Sequence, residues 1–86
     1  MSHFVYIIYS EKFDVFYKGE SSQPYERLIE HNENKSKYTS FKGPWKLVYL
    51  EKLDSRSEAL IREKRLKRQN RPYIEWLIKQ NANIIE

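Results

Sequence analysis

Eighty-six residues allow one domain with a modest core. Cysteine is absent, which excludes disulfides, thiolate metal sites and a cysteine nucleophile. The net charge of +4 is uneven: the segment from Arg56 to Arg71 holds seven Lys/Arg against two Glu, whereas the remainder holds nine basic and ten acidic residues.

The start, Met1-Ser2-His3-Phe4, lacks the cationic residues and long apolar stretch of a signal peptide, and no apolar run approaches the ~20 residues of a membrane span. A cytoplasmic protein without a membrane partner is expected. Phe4 to Tyr9 is apolar on both alternating faces, Phe4, Tyr6 and Ile8 on one and Val5, Ile7 and Tyr9 on the other. Such a strand is covered on both sides. Ser10 to Asp14 turns the chain, and Val15 to Gly19 returns as an antiparallel partner with Val15, Tyr17 and Gly19 on one face. Gly19 permits either a close backbone approach or a positive φ.

Ser21 or Ser22 is the expected N-cap of a first helix, with Pro24 in its opening turn, Glu26 suiting its dipole and an end near Asn32. Pro24, Arg27, Leu28 and His31 share one arc beside the inward face. The polar stretch from Glu33 to Gly43, carrying Lys35, Lys37 and Lys42, reads as a mobile loop. Trp45 to Leu50 is a third strand. Ser55 and Glu58 stand in capping-box spacing at the start of a second helix, and a short third helix spans Tyr73 to about Gln80 after Arg71-Pro72.

The second helix carries the cationic excess. With seven Tyr, two Trp and four Phe in the chain, such a patch suits nucleic acid; the plain alternative is a solvated helix face. Arg62, Lys64, Arg65 and Arg68 fall outside the inward arc that runs from Leu66 through Ala59 to Leu60, whereas Glu63 falls inside it. A carboxylate there needs a partner, either a buried cation or a metal ion. Taken singly, Tyr6 and Tyr17 are most simply core tyrosines, and Arg27 and His31 an exposed helix pair.

In this order the residues resemble the GIY-YIG nuclease superfamily. Phe4-Val5-Tyr6 stands at the first signature triplet and Tyr17-Lys18-Gly19 at the second, with Arg27 to Asn32 following as the helix block. The stretch from Pro44 to Tyr49 and the residues Ser57-Glu58-Ala59 and Arg62-Glu63-Lys64 resemble later blocks of the small stand-alone YhbQ-like group, related to the nuclease domain of the excision-repair protein UvrC. The resemblance covers nearly the whole chain. It implies an α+β domain over residues 1–86, a small three-stranded antiparallel sheet flanked by helices. It implies a metal-dependent endonuclease acting on DNA, with RNA left open, in repair or recombination. Tyr6, Tyr17, Arg27 and His31 become the catalytic set, and Glu63 the one carboxylate holding a single Mg²⁺ or Mn²⁺.

Either tyrosine could then be the base, with Tyr17 the first candidate. Lys35, Lys37, Arg62, Arg65 and Arg68 would meet the nucleic acid, and a monomer or weak homodimer is expected. Two positions depart from the family pattern. Lys18 replaces an apolar residue, and Glu20 stands where UvrC-type domains place a lysine near the phosphate. Asn81 or Asn83 would supply a late asparagine. The competing readings are a nucleic-acid-binding module without catalysis, and a domain docking its basic helix on an acidic protein.

Overall fold

A computed structural model describes residues 2–80 and 83–85. Its strands are β1 (His3–Ser10), β2 (Val15–Ser21) and β3 (Trp45–Leu53), and its helices α1 (Pro24–Asn32), α2 (Arg56–Lys67) and α3 (Arg71–Ile78). All pairings are antiparallel and the strand order is β2-β1-β3. The central place of β1 accounts for its two apolar faces, since both are covered. Tyr6 and Ile8 pack with Trp45 and Leu50, with Leu28 of α1 against them. Val5 and Ile7 pack with Tyr49 beneath Ala59 and Leu66 of α2 and Ile74 and Leu77 of α3. The sheet is thus sandwiched between α1 and the α2–α3 pair, as its strand pattern requires.

Register sets which side chains meet. Tyr6 lies opposite Gly19 and Ile8 opposite Tyr17, so both tyrosines belong to the α1 face. On β3 the pairing shifts from Ile7–Tyr49 to Ile8–Leu47, leaving Val48 as the extra residue of a bulge. Strand β3 outlasts its apolar run because Glu51 is neutralised in place. Tyr49 donates to Glu51 Oε1 at 2.5 Å, and Arg62 Nε donates to the same oxygen at 3.0 Å.

The helix ends follow local chemistry, with one correction. Ser55 caps α2 by accepting from the Glu58 N–H at 3.2 Å, and Asn70 caps α3 by accepting from Tyr73 at 3.1 Å. Arg71-Pro72 therefore opens α3 rather than interrupting the chain before it. Helix α1 instead starts after Gln23 with no side-chain cap, because Ser21 Oγ is used by the Gln23 N–H at 2.9 Å, one step early. At the hairpin tip Asp14 adopts a φ of 55°. Tyr9 donates to its carboxylate at 2.6 Å, and Arg71 reaches it from α3 at 2.5 Å.

Residues 33–43, expected to be mobile, are tied down instead. Ser36 and Thr39 are buried. Ser40 Oγ donates to the Ser36 carbonyl at 2.6 Å, Phe41 N–H to Asn34 Oδ1 at 2.8 Å, and Ser10 Oγ to the Lys42 carbonyl at 2.5 Å. Asn32 closes the segment's ends by exchanging two hydrogen bonds with the Trp45 backbone. No helix among the described residues is long and apolar enough to cross a membrane.

Candidate active site

The site is built around the meeting of Tyr6 with Gly19. A methyl group at position 19 would stand 2.5 Å from both Cζ and Oη of Tyr6. The missing side chain is therefore what lets the phenol lie across β2. No glycine among the described residues has a positive φ, so close approach, not backbone conformation, is what Gly19 supplies.

Held there, the Tyr6 hydroxyl lies 2.8 Å from His31 Nε2, and His31 Nδ1 lies 2.7 Å from Thr39 Oγ1. All three residues are buried. A neutral imidazole donates from one nitrogen and accepts at the other, so the three groups form one directed row of hydrogen bonds. Burial holds His31 down to about 4, helped by the adjacent Arg27 charge. Burial also pushes Tyr6 well above the usual phenol range, as do Tyr17 and the Glu63 charge, while Arg27 pulls the other way. Near neutral pH the row is uncharged.

Tyr17 completes the aromatic cluster, its ring centroid 5.1 Å from that of His31. Arg27, one turn before His31, is 33 % exposed and donates to Glu30 Oε1 at 2.8 Å. Glu63 comes from α2, which packs on β1 and β2. Its side chain is 18 % exposed, and Lys67 Nζ stands 3.7 Å away, a loose contact one helical turn on. Glu63 does face inward with Ala59 and Leu66, whereas Leu60, assigned to the same arc, is 41 % exposed.

The two departures from the family pattern lie on the side of the sheet that α2 and Glu63 occupy. Lys18 pairs with Ile7 and Glu20 with Val5, on the α2 face of the sheet. Burial and then Lys67 lower the Lys18 pKa. Glu20 lies 3.8 Å from His3. Of the residues expected to bind nucleic acid, Lys37, Arg65 and Arg68 are exposed, and Lys35 is exposed beside Glu33 at 3.1 Å. Arg62 is half-buried and donates from Nε to Glu51 Oε1 at 3.0 Å. Asn81 lies outside the described residues. Asn83 clips the tail to β3, accepting from Leu50 N–H at 3.0 Å and donating to the carbonyls of Val48 and Ile78.

Two participants escaped the sequence reading. Glu30, which tethers Arg27, was signalled only by its three-residue spacing. Thr39, which fixes His31, carried no local signal at all.

The depressed His31 pKa has a consequence for stability. The unfolded chain takes up this proton near pH 6.5, the folded chain only near 4. Stability therefore falls as pH drops through that window, by about 3 kcal/mol in all. Urea melts between pH 7 and about 4.5 should show this slope, and His31→Gln should flatten it. An equal slope in both proteins would remove His31 as its source.

Residues 2–80 match the GIY-YIG catalytic domain. A UPF0213 protein of Syntrophus aciditrophicus is 43 % identical over 82 residues, covering 92 % of each chain. UPF0213 protein SSP2268 of Staphylococcus saprophyticus is 39 % identical over 66 residues, 76 % of this chain and 79 % of that one. Among solved structures, the solution NMR structure of UPF0213 protein BH0048 from Bacillus halodurans superposes with a TM-score of 0.60 at 30 % identity, covering 95 % of this chain and 87 % of that one.

Proposed function

The chain belongs to the GIY-YIG catalytic domain family, and from that premise we propose that it is an endonuclease hydrolysing phosphodiester bonds in DNA with one divalent cation. The observation that carries this is the joint placement of Tyr6, Tyr17 and His31 in one cluster, with Arg27 one helical turn before His31.

The donor set fits a single hydrated ion. Glu63 is half-buried, with only a loose cationic neighbour. No group of three or more His, Cys, Asp or Glu among the described residues offers a cage. That suits Mg²⁺ or Mn²⁺ held by one carboxylate, water and substrate phosphate. When bound, the ion supplies Lewis acidity at the phosphate.

The chain's own groups divide the remaining work. Arg27 presents a planar fork to two phosphate oxygens and offsets the charge that builds there. Tyr17, half-buried beside His31, would take the proton of the attacking water as its phenolate, having first released its own proton to solvent, a form that a bound divalent cation would favour. Tyr6 is poorly suited to that task, because its proton is held by burial and by the hydrogen-bonded row. Its role is positioning: with His31 and Thr39 it fixes the wall against which Tyr17 packs. Lys18 and Glu20 lie on the α2 face of the sheet, opposite to Tyr6 and Tyr17 and on the side from which Glu63 comes.

The test is cleavage of a labelled DNA panel (single strand, duplex, nick, flap and branch) in Mg²⁺ and in Mn²⁺, with EDTA as control. Cutting in at least one metal and none in EDTA is expected. No cutting of any substrate, or undiminished cutting in EDTA, would overturn the reading.

A further inference from the structure

Beyond α1 the chain presents two aromatic rings that the fold does not use. Tyr38 is 71 % and Phe41 81 % exposed. Lys35 and Lys37 precede them and Lys42 follows, all exposed. The backbone beneath them is fixed by the Ser36, Thr39 and Ser40 contacts, so the rings are held out on a firm support. Phe41 also has a φ of 61°, a conformation that suits glycine or asparagine and crowds a larger side chain. A phenylalanine there strains the backbone and leaves most of its ring in solvent. Glycine would serve the fold better, so the ring answers to something outside it. Phe41 further lines, with Asn32, Asn34, Gly43 and Pro44, a recess of about 320 Å³.

We propose that Tyr38 and Phe41 form a stacking platform for unpaired nucleobases, with Lys35, Lys37 and Lys42 on either side of the pair holding the neighbouring phosphates. Aromatic rings flanked by cations fit the two parts of a single strand, apolar base faces and charged phosphates. A duplex hides its base faces in its own stack and can use only the lysines. The platform adjoins the catalytic cluster through Thr39, which lies between the two rings in the chain and hydrogen-bonds His31. The substrate is then a strand with unpaired nucleotides beside the cleavage point. The inference rests on the nuclease reading, and its test is arranged to separate the two.

Fluorescence anisotropy in EDTA reads binding without cleavage. The probes are a labelled thymidine strand of about 12 nucleotides and a blunt duplex of the same length. Tyr38→Ala and Phe41→Gly should each weaken single-strand binding about tenfold and together about a hundredfold, with duplex binding little changed. Phe41→Gly should not lower the melting temperature, which separates loss of the ring from loss of the fold. Equal losses on both probes, or none on the single strand, would overturn the platform. So would a dimer that sedimentation shows to dissociate in the variants while their single-strand affinity stays intact, for the rings would then serve a second copy. If the wild type cuts the DNA panel while the variants bind the strand normally, the platform alone fails. If it neither binds nor cuts, both readings fail.

Discussion

Arg27→Ala should slow DNA cleavage by about 10²- to 10³-fold, and Glu63→Gln by at least as much. Neither should move the melting temperature by more than a few degrees. The two effects separate because the residues contribute little to the fold. Arg27 is partly exposed, and its contact with Glu30 is a helix-surface pair worth about 0.3–0.5 kcal/mol. Among the described residues, the one ion-pair contact of Glu63 is the loose one to Lys67 at 3.7 Å. Toward a phosphate the situation reverses, because charge that develops in the transition state meets a group already aimed and partly desolvated. Arg27→Lys keeps the charge and loses the fork, so it should recover only part of the rate. Glu63→Gln keeps volume and removes the metal-holding charge, so higher Mn²⁺ should restore some activity. Steady-state cleavage with melts on the same samples decides the matter. Rates within threefold of wild type would take that residue out of the chemistry.

Gly19→Ala should cost both stability and rate. The added methyl meets the ring carbon and the hydroxyl of Tyr6 at 2.5 Å. Tyr6 cannot swing aside cheaply, since it is buried and its hydroxyl engages His31. Overpacking of this kind costs about 1–3 kcal/mol. For a domain of this size that lowers the melting temperature by roughly 10 °C. Displacing Tyr6 also frees His31 and the Tyr17 wall, so cleavage should fall more than the folded fraction does. Gly43→Ala is the control. Its nearest contacts, Asn32 Oδ1 and Trp45 Cδ1, lie at 3.3 Å, where small adjustments suffice. Equal melting temperatures for the two variants would show that Tyr6 can give way.

What could be read in the residues was what depends on local period. The two apolar faces of β1 forced helices onto both sides of the sheet, and strand parity put Tyr17 and Lys18 on opposite faces, while the pairing that brings Tyr6 and Tyr17 to one face came from the register. Helical spacing put Arg27 and His31 on the arc beside the core. What could not be read depended on partners distant in the chain. Residues 33–43 look slack because their polar groups suit solvent, yet Thr39 finds a buried imidazole and Ser10 reaches the Lys42 carbonyl. Glu51 looks like the end of a strand until Tyr49 and Arg62 neutralise it. Arg62 looks solvated for the same reason. Gly19 left two uses open, and only the position of the Tyr6 ring chose between them.

The clip made by Asn83 closes one border of the sheet. Along β3 the outward N–H and C=O of Leu50 are both occupied, by Asn83 Oδ1 and the Ile84 N–H, and the Val48 carbonyl is taken as well. A foreign strand seeking to extend the sheet there must first peel the tail away. Shortening the chain before Asn83 would therefore do more than remove a few residues: it would bare a template for self-association on the side of the molecule where β3 now ends.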